Sequence, residues 1–251
     1  MPAKSRRQFT REALQSLTAL ALIDGLAARR LFGAEVRPTV DAWLKELNDI
    51  SRDIADHKTK DLEYQRSLED LYRRVDLPAL LKSLDFDHLV AATELPDHGA
   101  RSLPVDFRGI SGLPTKLVGG RQIFAMKKGR SVVPHGHENM ASGFLVLGGN
   151  LRGRHYDRVE DLDDAFIIRP TIDRPFRPGE FSTISDHRDN IHWFTAESDH
   201  AFIFNVHVMD TNPENGNVPA RVYVDPLGEK LAGGLVKAPK ITYGQANKLY
   251  G

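Results

Sequence analysis

The chain has 251 residues, of which 41% are hydrophobic, so it is long and apolar enough for one good-sized domain with a buried core. Its 34 basic residues balance 34 acidic residues, and charge alone therefore points to no nucleic-acid partner. The absence of cysteine excludes a disulfide framework, a thiolate metal site and a cysteine nucleophile, and it leaves the compartment open. No stretch approaches the roughly 18 to 20 apolar residues of a membrane span, so we expect none.

Residues 1–34 have the pattern of an export signal. Residues 5–9 read Ser-Arg-Arg-Gln-Phe, the basic Arg11 follows, and a modestly apolar run extends to about residue 28 before small residues at a plausible cleavage site. This segment resembles a twin-arginine signal peptide, although Thr10 replaces the usual leucine. The pattern predicts a periplasmic or otherwise exported protein after twin-arginine translocation. The alternative is an amphipathic N-terminal helix on a cytoplasmic protein.

Residues 38–92 are predicted to form a helical extension. Thr39 can cap a first helix, whose apolar residues from Val40 to Ile54 recur at helical spacing. A second apolar stripe runs from Tyr64 to Val75, and Pro78 suits the start of a short third helix. These stripes are typical of helix faces that pack on a main domain.

Residues 100–251 are predicted to form a β-barrel domain with a C-terminal tail. Short runs rich in β-branched and aromatic residues alternate there with Gly, Pro, Asp and Asn, which is typical of an all-β sandwich or barrel. The acidic residues 160–164 and residues 212–217 are interpreted as loops. The predicted strands are 121–127, 131–137, 143–149, 151–156, 165–169, 180–185, 191–196, 201–208 and 221–225.

A metal site is predicted from two histidines in one of these strands. His135 and His137 are two residues apart, and side chains at this spacing project from the same face of a strand. Together they could therefore hold one ion, and imidazole suits iron, zinc, copper, nickel and manganese.

The surrounding motifs resemble those of the cupins. Gly129 precedes the histidine pair by six residues, Gly148-Gly149 closes the next strand, and residues 178–180 with 189–194 resemble the second cupin motif, which supplies His192. The resemblance implies an all-β double-stranded β-helix, or jelly-roll barrel, in which His135, His137 and His192 converge on one metal. Ala141 and Ser142 occupy the positions of the usual glutamate ligand, so we expect a site of three neutral imidazoles.

Within the cupins, residues 115–210 are most similar to the three-histidine thiol dioxygenases of the cysteamine dioxygenase and plant cysteine oxidase branch. The histidine pair is followed at matching offsets by Met140, Leu147, Gly149 and Tyr156-Asp157, and residues 190–196 read Asn-Ile-His-Trp-Phe-Thr-Ala. The resemblance implies Fe(II), with another divalent metal as the alternative. It also implies oxidation of a small or N-terminal-cysteine thiol by O₂ to a sulfinate, and it leaves a homodimer open.

Other candidate residues come from the same comparison and from strand alternation. Tyr156, Asn205 and His207 are candidate catalytic residues, and Met140 and Gly143 are candidate substrate-pocket residues. Asn205 and His207 share one face of their strand, but the sequence does not decide whether that face is the interior. Tyr156 could equally be a packed strand tyrosine, whereas His155 and His187 are interpreted as solvent-side residues.

Two departures keep other functions open. Gly143 lies where some thiol dioxygenases carry cysteine, and Asn205 replaces an acid of the family. The alternatives are a cupin enzyme with another divalent metal, such as an isomerase or a different oxygenase, and an exported non-catalytic protein that binds a small molecule. No phosphate loop or nucleophile elbow is present.

Overall fold

The computed structural model describes residues 38–105, 107, 113–114, 117–215 and 220–251. The predicted export signal lies outside the described residues. Five α-helices are present in the described chain, and none of them is long and apolar enough to cross a membrane. They are α1 (Val40–Ala55), α2 (Asp61–Arg73), α3 (Leu77–Ser83), α4 (Phe86–Ala92) and α5 (Tyr243–Tyr250).

The strands follow one another in short antiparallel runs. In chain order they are β1 (Arg101–Pro104), β2 (Gly120–Lys127), β3 (Ser131–Glu138), β4 (Met140–Gly148), β5 (Leu151–Asp161), β6 (Ala165–Phe176), β7 (Phe181–Ile184), β8 (Ile191–Ala196), β9 (His200–Met209), β10 (Ala220–Val224), β11 (Glu229–Lys230) and β12 (Val236–Ile241).

These strands form two facing sheets. One has the order β1-β2-β9-β4-β7 and the other has the order β10-β3-β8-β5-β6-β12-β11. Strands that are distant in sequence lie side by side, and side chains from the inner faces of both sheets fill the space between them. The predicted fold class is confirmed: the strands form a double-stranded β-helix, or jelly roll, preceded by helices.

The seven-stranded sheet also curls back on itself. Strand β10 pairs with β12 as well as with β3, so the outer face of β8 and β5 is covered. A second, smaller apolar core lies under this curl. Its buried members are Tyr156, Phe166, Ile168, Ile191, Val224 and Ala238.

The helices cover the outer face of the five-stranded sheet. Thr39 accepts a hydrogen bond from the Ala42 amide at the start of α1, as its position predicts. The Trp43 ring stacks on Tyr72 of α2 at 5.7 Å, and its indole N–H donates to the Leu71 carbonyl at 3.0 Å. Because the helices cover this face, the outward residues of β4 and β9, such as Leu145, Phe204 and Val206, are apolar and buried.

The structure contains elements that the sequence pattern did not predict. Strands β1, β11 and β12 and helices α4 and α5 are short, and β5 and β6 continue beyond their predicted ends at residues 156 and 169. The acidic segment predicted as a loop begins inside β5 and becomes a turn after Asp161. Short elements carry too few periodic positions for a strand or helix signal to stand out.

Candidate metal centre

Three histidines from two neighbouring strands meet inside the barrel. Strand β3 supplies His135 and His137, and β8 supplies His192, which lies directly opposite His135 in the antiparallel register. Their ring centroids are 4.2 to 5.0 Å apart, and one potential ligand nitrogen from each lies within 4.8 Å of the others. All three side chains are buried. The group contains no carboxylate, and no metal-ligating cluster of other residues occurs in the described part of the chain.

Backbone carbonyls orient two of the imidazoles. The Nδ1 atom of His135 lies 2.8 Å from the Val133 carbonyl, and that of His192 lies 3.1 Å from the Asn190 carbonyl. A carbonyl only accepts, so both Nδ1 atoms carry a hydrogen and both Nε2 atoms keep a free lone pair. The Asn190 side chain donates to the His137 carbonyl at 2.8 Å and so ties the start of β8 to β3.

The chemistry of the donor set fits a metal ion. Both ring nitrogens of His137 and the Nε2 atom of His192 are buried without a hydrogen-bond partner. Burial lowers the pKa of His135 to about 4 and lowers the pKa values of His137 and His192 well below the ordinary value. The imidazoles are therefore neutral at pH 7, and His137 and His192 have lone pairs that no protein group satisfies, which is the state that a metal requires.

Asn205 and His207 lie on the opposite wall of the barrel. The even-numbered neighbours Phe204 and Val206 pack in the helix-facing core, so the polar face of β9 is the interior one. The Asn205 amide donates to the Gly143 carbonyl at 3.4 Å, and its Oδ1 lies 3.3 Å from His207 Nδ1. This arrangement places the hydrogen of His207 on Nδ1 and leaves Nε2 as an acceptor.

Two sequence predictions about the pocket are wrong in this geometry. A side chain at Gly143 would meet Leu68 and Tyr72 of helix α2, so this position faces the helices rather than the metal. Tyr156 belongs to the small core under the β10–β12 curl. Adjacent strand residues point to opposite faces, so His155, and not Tyr156, points into the barrel.

Met140 is buried at the first residue of β4, on the same face as Ser142 and Phe144. That face is the inner one, because the Phe144 ring lies 5.1 Å from His192. Ser142 thus points inward near the position where the resemblance would put a glutamate, and its hydroxyl has no partner. Ala141 faces the helices.

Three residues around the cluster were not predicted from the sequence. His155 is fully buried beside His192 rather than on the solvent side. Arg221 and Tyr223 of β10 pair in register with His137 and His135. Their spacing of two residues signals a shared face, but nothing in the sequence pairs β10 with β3.

Similarity to known proteins is confined to weak likenesses among solved structures. No protein-family model matches the chain, and no curated protein matches its sequence. Among solved structures, it is similar to a double-stranded β-helix protein from Klebsiella pneumoniae, at 12% identity and a TM-score of 0.33 over 49% of this chain and 88% of that one. A cupin superfamily protein from Desulfitobacterium hafniense gives 13% identity and a TM-score of 0.33 over the same shares of the two chains.

An 11S globulin from Wrightia tinctoria gives 14% identity and a TM-score of 0.34 over 55% of this chain and 29% of the globulin. Likenesses of this strength carry no conclusion about activity. The assignment of the fold rests on the order and pairing of the strands. The candidate metal ligands are the three buried histidines.

Proposed function

We propose that this protein is a mononuclear non-haem iron oxygenase that converts a thiol and O₂ into a sulfinate. The observation that carries the proposal is the cluster of three buried, uncharged imidazoles without a carboxylate, in which ring nitrogens of His137 and His192 lack a hydrogen-bond partner. A site with only neutral ligands keeps the full charge of a divalent ion, which favours an anionic thiolate over a neutral ligand. The likeness of the histidine motifs to those of thiol dioxygenases supports the same reaction.

His135, His137 and His192 would hold the ion. Iron would supply the redox chemistry by which both oxygen atoms of O₂ become bonded to the substrate sulfur, so that RSH and O₂ give RSO₂H. The protein would fix the directions of the imidazoles through the carbonyls of Val133 and Asn190.

His207, on the facing wall of the barrel, would accept the thiol proton. His207 keeps its hydrogen on Nδ1 against Asn205, so its Nε2 is free to accept a proton. Burial lowers the pKa of His207, which keeps the imidazole neutral and able to act as a base at pH 7. Phe144 and Phe194, whose rings lie 5.1 and 6.3 Å from that of His192, exclude water from this side of the cluster.

Metal content is the first test of this proposal. Protein purified without chelators or metal-affinity resin is expected to contain about one iron per chain. His192→Ala should lose the iron, whereas His200→Ala, which changes an exposed histidine, should retain it. Stoichiometric zinc, manganese, nickel or copper in place of iron would favour the other-metal enzyme, since imidazole suits those ions as well.

Oxygen consumption is the second test. Iron-loaded protein should consume one O₂ per thiol oxidised and release a sulfinate, and His192→Ala should not. Metal-loaded protein that oxidises none of a panel of thiols would overturn the dioxygenase proposal. It would instead favour a cupin that binds its ligand without turnover.

Export remains a separate proposal, because residues 1–37 lie outside the described chain. We propose that residues 1–34 direct twin-arginine translocation. Cell fractionation of the wild type and of an Arg6→Lys/Arg7→Lys variant tests this. Full-length, uncut protein in the cytoplasm of wild-type cells would refute it.

A further inference from the structure

Helix α2 holds the loop that leads to the third histidine of the cluster. Three of its polar residues lie four positions apart on one face of the helix, and each contacts strand β7 or the loop 185–190 between β7 and β8. They are Asp61, Gln65 and Glu69, and their partners lie between residues 183 and 188. The loop ends at Asn190, two residues before His192, so the helix grips the segment that delivers a metal ligand.

Gln65 is the centre of this contact, and its side chain is fully buried. Its amide nitrogen donates to the Thr183 hydroxyl at 3.2 Å, and its amide oxygen accepts from the Ser185 hydroxyl at 2.8 Å. A buried amide costs free energy unless its hydrogen bonds are made, and an apolar side chain would suffice for packing alone. The two bonds therefore fix the position of Ser185 relative to the helix.

Ser185 transmits this constraint to the cluster through Asn190. The Asn190 amide donates one hydrogen to the Ser185 carbonyl at 3.0 Å and the other to the His137 carbonyl at 2.8 Å. The Asn190 carbonyl accepts the hydrogen of His192 Nδ1 at 3.1 Å. Ser185 and Asn190 are fully buried, so water does not compete with these bonds. A continuous chain of hydrogen bonds thus joins helix α2 to two of the three histidines.

We propose that Gln65 is a positioning residue for the metal site, so that docking of helix α2 and binding of the metal stabilise each other. This inference rests on the three-histidine metal site of the proposed function and not on the oxidation of a thiol. Loss of an outer group that orients metal ligands lowers metal affinity by roughly 10- to 100-fold. Because such a coupling is reciprocal, the helical extension is part of the metal centre as well as a cover for the sheet.

A titration with Co(II) separates positioning from stability. Co(II) binds imidazole, and its visible absorption spectrum reports the geometry of its ligands. Gln65→Met removes both hydrogen bonds and keeps a side chain of similar length. It should weaken Co(II) binding by roughly tenfold and change the visible spectrum, and Co(II) should raise its urea midpoint less than that of the wild type.

Asn48→Leu is the matched control. The Asn48 side chain is buried on helix α1, and its amide oxygen accepts from Val118 and Arg121 at β2, which β9 and β4 separate from β7. The substitution should lower the urea midpoint of the metal-free protein, as Gln65→Met does, but leave Co(II) affinity and spectrum as in the wild type. Unchanged affinity and spectrum in folded Gln65→Met, or an equal loss of affinity in Asn48→Leu, would overturn the role of Gln65.

A second substitution places the effect on the chain of bonds. Ser185→Ala removes the hydroxyl that Gln65 holds, and it should weaken Co(II) binding as Gln65→Met does. The double variant should bind Co(II) about as weakly as either single variant, because both break the same connection. If Gln65→Met does not fold, Ser185→Ala carries the test alone, and wild-type affinity and spectrum in that variant would overturn the proposal.

The two proposals can fail separately. If the iron-loaded wild type oxidises thiols and Gln65→Met binds Co(II) as the wild type does, the role of Gln65 is wrong and the oxygenase stands. If no thiol is oxidised but Gln65→Met weakens Co(II) binding, the oxygenase is wrong and the coupling stands. Nitrogen ligands bind Co(II) at least as well as Fe(II), so a wild type that binds no Co(II) would overturn the metal site and both proposals with it.

Discussion

Replacement of His155 by phenylalanine should make the folded protein less sensitive to acid. The His155 ring is fully buried, stacks on Phe176 at 6.3 Å and meets the edge of Phe194 at 5.4 Å. Neither ring nitrogen has a hydrogen-bond partner, and burial lowers the pKa of His155 from 6.5 to about 3. A phenylalanine of similar shape would fill the same apolar site without a proton to bind.

The sign and size follow from proton linkage. Because the pKa is lower in the folded state, the unfolded chain takes up the proton first, and stability falls as the pH drops from 6.5 towards 3. The wild type therefore loses about 1.4 kcal/mol of unfolding free energy per pH unit in that window, or about 2 kcal/mol at pH 5. The loss is negligible above pH 7. The advantage of His155→Phe over the wild type should therefore grow by about 2 kcal/mol between about pH 7.5 and pH 5.

Urea unfolding of chelator-treated protein at the two pH values measures this difference. Both the wild type and His155→Phe are metal-free, so loss of metal does not contribute to the comparison. The cluster histidines titrate in both proteins, so their contribution cancels. His88→Phe, on the exposed side of helix α4, controls for the exchange of side chains itself. A difference between His155→Phe and wild type that is the same at both pH values would refute a buried, uncharged His155.

Three further results are expected. Gly143→Ala should cost about 1–3 kcal/mol of stability and leave the metal content unchanged, because its methyl group would lie 2.4 Å from a side chain of helix α2. Loss of metal without loss of stability would contradict this placement. Trp43→Phe should lower the free energy of unfolding by about 1 kcal/mol through loss of the hydrogen bond to Leu71, and an unchanged urea midpoint would speak against that bond. Asn205→Leu should slow thiol oxidation about tenfold or more and retain the metal, because His207 loses the acceptor that holds its hydrogen on Nδ1. An unchanged rate would show that neither residue takes part in the mechanism.

Local periodicity was sufficient for the strongest predictions from the sequence. The spacing of His135 and His137 places both on one face of a strand whatever the rest of the chain does. The helical stripes on either side of Trp43 and Tyr72 likewise predict buried faces before any partner is known. The second histidine motif needed a resemblance, because no local rule joins His192 to a strand more than fifty residues earlier.

The errors arose where a residue's environment depends on strands that are distant in sequence. Alternation divides β9 into a polar and an apolar face, but only the packing of the helices on Phe204 and Val206 makes the polar face the interior. Gly143 likewise lies on the face of β4 that the helices cover, so it points away from the metal site.

Local patterns in the sequence were enough to predict an all-β protein with preceding helices and a histidine-rich strand, because those features depend on neighbours one to four residues away. The surroundings of the histidines, in contrast, depend on contacts between strands that are distant in sequence. The pairing of β10 with β3 brings Arg221 and Tyr223 beside the histidine pair, and the pairing of β5 with β8 puts His155 on the inner face and Tyr156 on the outer one. Strand pairing is set by the burial of whole faces across the barrel, and such long-range contacts leave no period in the sequence from which they could be predicted.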